Sequence, residues 1–280
     1  AADAEGGRKK PDFLVFDRRL LFTFVTMNHP SVSSIVIAND AVPYAEKDCS
    51  LRFQPLDFRT QLNDLTCLVG PHRLQLRAYL QMLACITKPR LGIVKIFGQS
   101  VSGLDQAEWR VLRSRIGYLS GAAPLLSVQH GLMNVMIPAL YHGNGSFRET
   151  ADKARTLLEE LKCRFEPTTF PALLSSLQRS QLALARALIL DPSLLFLDVP
   201  FHDLGAKDRE MMGELLGTYK KNRSICMIGG LQYPQFLERH ANRIVYISED
   251  KIIYFNCWRT FLETEDHDVQ GLLSVLHNAK

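Results

Sequence analysis

Leu174 to Pro200 reads LSSLQRSQLALARALILDPSLLFLDVP. The spacing predicts a helix over Ser180 to Leu190, stopped at Asp191-Pro192. Leu194 to Leu197 is a short apolar run of the kind that forms a strand buried on both faces, and it closes on Asp198.

Working outward, Ser224 to Ile228 repeats the buried-strand pattern, and Ile244–Ile247 with Ile252–Phe255 flank Glu249-Asp250 as a hairpin. Upstream, Thr150 to Cys163 is an amphipathic helix, with Thr150 as its N-cap and Ala154, Leu157, Leu158 and Leu161 on one face. Gln106 to Arg115 is compatible with a helix, Ile93 to Phe97 is a strand before a turn at Gly98, and Leu74 to Ile86 is a helix halted by Pro89. Ile35–Ile37, Leu51–Phe53 and Leu65–Val69 read as strands, the last buried. A β-rich start followed by alternating helices and buried strands makes an α/β protein with an antiparallel patch. Residues 1–11 have the composition of a disordered tail.

The bulk composition excludes several classes. With 33 basic and 29 acidic residues among 280, the net charge of +4 is too small and dispersed for a nucleic-acid footprint. No run reaches the roughly 18 to 20 apolar residues that span a bilayer, and Leu20–Met27 reads as a strand or extension. A membrane role therefore comes through partners. Six cysteines without CxxC or Cys/His spacing read as free thiols in a reducing compartment.

The opening stretch resembles the signature and Walker B region of ABC-transporter nucleotide-binding domains, which reads LSGGQ, then a helix ending ARAL, then DP, then an apolar strand closing in DEP. Leu174, Ser175 and Gln178 match the signature, Ala185–Leu188 the helix end, Asp191-Pro192 the turn and Asp198 the strand end. Cys67–Pro71 is similar to the strand entering the phosphate loop. Ile116–Leu119 matches the strand before the Q-loop, Ala241–Ile244 the "ADRI" segment and Lys251-Ile252 the last hairpin. The resemblance spans about 35–256. It implies an ABC ATPase fold: a RecA-like core with a mainly parallel sheet, an antiparallel β subdomain, and a helical subdomain around 119–180. Residues 1–34 would be an extension and 257–280 a C-terminal helical tail.

The resemblance also marks what differs. Against the phosphate-loop pattern GxxxxGK[ST], Gly70 and Pro71 remain, but Gln75 stands at the second glycine, Leu76 at the lysine and Arg77 at the hydroxyl residue. Val199 takes the place of the glutamate that activates water, Gly230 that of the switch histidine, and Gly205 that of the D-loop aspartate. Ser120 or Gly121 stands for the Q-loop glutamine, and Ser176 and Leu177 for the signature glycines. Catalytic residues are therefore expected to be absent. The nucleotide-binding remnants are Gly70, Pro71, Asp198, Ser175 and Gln178, with Tyr44 as the aromatic that would stack on adenine. Asp198 reads as a loop cap rather than a metal ligand, Arg73 and Arg77 as surface arginines ahead of positive charge filling the phosphate site or binding another anion, and Ser175 and Gln178 equally as helix N-terminal residues.

No cofactor is expected; ATP and Mg would enter only if this site or a partner's still worked. The expected role is a pseudo-ATPase subunit, peripheral on the cytoplasmic face of the cell membrane. It would dock on an ABC permease and pair with itself or with an active ATPase. The loop around Leu125 and Leu126 would be the docking point, tolerant of charged substitution. Residues 120–140 (SGAAPLLSVQHGLMNVMIPAL) resemble the "SGAL…NVAFPL" stretch of ATPase subunits of MCE-type bacterial lipid transporters, which implies lipid transport. The alternatives are a scaffold or regulator on the same fold, or a weak ATPase with an unorthodox loop.

Overall fold

The computed structural model describes residues 34–44, 51–120, 124–143, 145–221 and 223–278, with residues 275–278 described by backbone alone. Most of the expected extension over 1–34, the Leu20–Met27 run, Cys49 and Gly121 lie outside them.

In chain order, β1 (Val36–Val42), β2 (Leu56–Thr60) and β3 (Leu65–Val69) lead into α1 (Arg73–Leu83). Next come β4 (Leu91–Ile96), β5 (Gln99–Ser100), α2 (Gln106–Ser114), β6 (Ile116–Ser120), α3 (Gly131–His142), α4 (Phe147–Glu160) and α5 (Ser176–Leu188). The chain continues through β7 (Leu194–Asp198), α6 (Ala206–Tyr219), β8 (Ser224–Ile228), α7 (Pro234–His240), β9 (Arg243–Ile247) and β10 (Ile252–Phe255), then α8 (Trp258–Leu262) and α9 (His267–Asn278).

Two sheets form. The smaller is antiparallel, in the order β2-β1-β4-β5; the larger runs β10-β9-β3-β8-β7-β6. In the larger, β9, β3, β8, β7 and β6 are parallel neighbours and β10 closes the edge as an antiparallel hairpin strand. Strands β3, β7 and β8 are buried at every position, as their unbroken apolar runs require. Leu68, Phe196 and Ile228 pack with α1 and the small sheet, while Cys67, Leu197 and Met227 pack with α5, α6 and α7 on the other face. Helices α3, α4 and α5 pack on one another, and α5, which runs past residue 180, also rests on β6.

Four expectations need correction. Leu51–Phe53 is not a strand. Its backbone is held instead by side chains: Gln75 Nε2 donates to the Arg52 carbonyl at 2.6 Å, Tyr79 Oη to that of Gln54 at 2.6 Å, and Glu249 accepts from Arg52 N. The ladder starts at Leu56. Helix α4 starts earlier than expected, because Ser146 caps it in a reciprocal box with Glu149 and Thr150 is already inside. Likewise α5 begins at Ser176, four residues before the expected start, and α1 ends at Leu83 rather than Ile86. The C-terminal stretch is helical as expected, in α8 and α9, and its Trp258, Phe261, Val269 and Leu273 are buried in the same core as β3 and β8.

Candidate functional site

The ends of β3, β7 and β8 converge where the family pattern places its chemistry. After Val69 the chain turns at Gly70, and a Cβ there would sit 2.0 Å from the Ile247 carbonyl oxygen. Close approach of β9 thus requires this glycine whatever the loop binds. Pro71, His72 and Arg73 are exposed, and α1 opens without a side-chain cap. Gln75 is fully buried and turned towards Arg52, and Leu76 is buried among core residues.

At the next position, Arg77 Nε donates to Asp198 Oδ2 at 2.7 Å. Asp198, expected to cap a loop, is instead the buried half of an ion pair, 2% exposed, and Arg77 is no surface arginine. The cause is electrostatic: a carboxylate at the end of a strand buried on both faces must be paired. Its second oxygen, Oδ1, has no partner among the described residues.

Val199 follows with φ 54°, a left-handed backbone that β-branched residues rarely adopt. Its amide donates to the Ile228 carbonyl and its carbonyl accepts from His202 N, so the turn after β7 is fixed at both ends. Across from it, Gly229 also has positive φ, and a Cβ there would lie 2.7 Å from Val199 Cγ1. A Cβ on Gly230 would lie 2.8 Å from both Cys67 Sγ and Leu237 Cδ2. Gly70, Arg73, Leu76, Val199, Gly229 and Leu231 line a cavity of about 160 Å³. No acid or histidine lines it. Burial pushes the Cys67 thiol up to about 12, so it supplies no nucleophile.

The remaining candidates lie apart from this cavity. Ser175 and Gln178 form a capping box for α5, and Gln178 Nε2 also donates to the Arg164 carbonyl. Their helix-terminal role is therefore realised. Ser120 pairs in register with Asp198. Tyr44 is 57% exposed, beyond the end of β1. Leu126 is exposed, but Leu125 is half-buried and packs against the core, so it is not the free side chain expected. The buried Asn134 accepts from Leu126 N at 2.8 Å and donates to the Leu126 carbonyl at 3.1 Å, fixing the loop on α3.

Asn134 and the Arg77–Asp198 pair were not singled out from the sequence. The available signal was a cation one residue past the lysine position, facing the one acidic residue retained at a strand end.

Residues 78–202 match the ABC transporter family. The chain is 26% identical over 223 residues to a probable amino-acid ABC transporter ATP-binding protein of Haemophilus influenzae, covering 76% of this chain and 84% of that protein. It is 25% identical over 199 residues to the lipoprotein-releasing system ATP-binding protein LolD of Cytophaga hutchinsonii, covering 71% and 87%. Among solved structures it resembles a dimeric post-hydrolysis state of the ATP-binding cassette MJ0796 bound to ADP and Pi. The TM-score is 0.71 at 20% identity, over 79% of this chain and 98% of that one. Among the described residues no helix is long and apolar enough to cross a membrane.

Proposed function

The chain belongs to the nucleotide-binding domains of ABC transporters, and from that premise we propose that it is a non-hydrolysing subunit that docks on a permease and supports a partner ATPase. The observation that carries this reading is Val199. At the position where a carboxylate would activate water stands an apolar side chain, 2% exposed and packed against Gly229. Valine neither accepts a proton nor orients a nucleophile.

The neighbouring residues do not fit ATP-Mg. Leu76 offers no cation to the β- and γ-phosphates, and Gln75 is folded away towards Arg52. The purified chain is expected to show neither steady ATP turnover nor micromolar ATP-Mg binding by calorimetry. Either result would overturn the reading.

Docking is assigned to Leu126, an exposed leucine on a loop that Asn134 fixes from below. An apolar side chain on a rigid loop suits a contact with a partner better than with water. A lipid-linked cargo is favoured by the 120–140 stretch. Affinity capture from native membranes should recover a permease with the wild-type chain and lose it with Leu126→Glu. Equal recovery with both would remove Leu126 from the interface.

A further inference from the structure

Phosphate-loop proteins hold a divalent cation between the hydroxyl that ends the loop and an acidic residue at the end of a neighbouring strand. In this chain those two positions are Arg77 and Asp198, and they bond each other directly at 2.7 Å. The arginine therefore occupies one oxygen of the carboxylate that a metal would need, and it brings a positive charge that repels a second cation. The wider donor set does not suit a metal either. Among the described residues, no three His, Cys, Asp or Glu side chains gather where one ion could bind them.

We propose that the Arg77 guanidinium is a built-in replacement for the divalent cation: it neutralises Asp198 from within the chain and fastens α1 to β7 without metal or nucleotide. Three features support this. Asp198 is 2% exposed, and a carboxylate buried to that degree is costly without a counter-charge beside it. The guanidinium brings its own positive charge to the carboxylate, so the neutralisation needs no bound ion. The pair also joins the helix that follows the phosphate loop to β7, a strand flanked by β6 and β8 and so inside the sheet rather than at its edge. The inference rests on the chain's family and the geometry of the pair. It does not depend on docking or on the absence of hydrolysis.

The test uses the whole chain, with Mn²⁺ as the probe and thermal unfolding as the readout. The wild-type melting temperature should be the same in chelator and in millimolar Mn²⁺. Arg77→Met and Asp198→Asn should each lower it, on the order of 10 °C, because each leaves one member of a buried pair alone. The double variant should lose clearly less than the two single losses together, since no charge is then stranded. Arg77→Lys should fall between wild type and Arg77→Met. Additive losses would overturn the proposal, as would a Mn²⁺-dependent stabilisation of the wild type that Asp198→Asn removes. If the single variants do not fold, a folded double variant together with a Mn²⁺-insensitive wild type supports the clamp, whereas Mn²⁺ bound at Asp198 refutes it. ATP turnover by the wild type would count against the proposed function and leave this result standing.

Discussion

The segment from α5 to β7 and the turn where β8 meets the phosphate loop lie close together, yet they relate to the family pattern in opposite ways. In α5–β7 the matching residues perform scaffold tasks. Ser175 and Gln178 cap a helix, Leu182 to Ala185 are buried, and β7 is buried throughout. At the other region the differing residues are matched to one another. Val199 rests against Gly229, Gly230 is closed in by Cys67 and Leu237, and Arg77 meets Asp198. The difference separates two kinds of constraint. Element interiors answer to burial and backbone hydrogen bonding, which any folded cassette must satisfy. Element ends answer to a ligand only while a ligand binds, and otherwise to their neighbours.

The sharpest way to break this comparison is to restore a family residue in the second region. Gly230→His places a side chain into contacts of 2.8 Å beneath a buried strand, and should cost about 3 kcal/mol or more in chemical denaturation. A loss below about 0.5 kcal/mol would mean that the region is open rather than refitted. Val199→Glu comes next. It buries a carboxylate beside an apolar cavity, should cost about 1–3 kcal/mol, and should yield no ATP turnover. Turnover from that single change would show that only one part had been missing. In the first region, Ser175→Ala should cost about 1 kcal/mol through the lost cap, with the same loss whether or not nucleotide is present. A nucleotide-dependent loss would give Ser175 a role beyond the helix end.

Smaller still is the expected effect of Val199→Gly. Glycine relieves a left-handed conformation that costs valine about 1–2 kcal/mol, which offsets most of the lost burial. The net change should stay within about 1 kcal/mol, while Val245→Gly, in an ordinary buried strand, should lose far more. Equal losses at both sites would remove backbone strain from the account. Leu126→Glu should change stability by no more than about 0.5 kcal/mol, because only its exposed side chain is altered.

Legibility in the sequence followed the range of the forces involved. Strands β3, β7 and β8 were readable because an unbroken apolar run is a local property. The ABC fold was readable because its signature lies within one continuous stretch. The start of α4 was misplaced by a competing local signal: both Ser146 and Thr150 are good capping residues, and only Ser146 has a glutamate three residues on. Leu51–Phe53 failed for a longer-range reason, since the side chains that capture its backbone come from α1 and from Glu249. Arg77 and Asp198 are 121 positions apart. That Gln75 and Leu76 stand at the loop's glycine and lysine positions was visible at once, but the partner Arg77 would take was not.

The place of β3 in the sheet sets a timetable for making the molecule. Its two hydrogen-bonded neighbours are β8 and β9, which begin at Ser224 and Arg243. At ordinary rates of synthesis, roughly ten to thirty seconds separate the emergence of β3 from that of β8. Through that interval the five-residue run LTCLV, buried on both faces once folded, has neither β8 nor β9 to pair with. Such distant pairing slows folding and leaves a sticky segment waiting. The nascent chain is therefore most vulnerable to misassociation before the ribosome has passed β9.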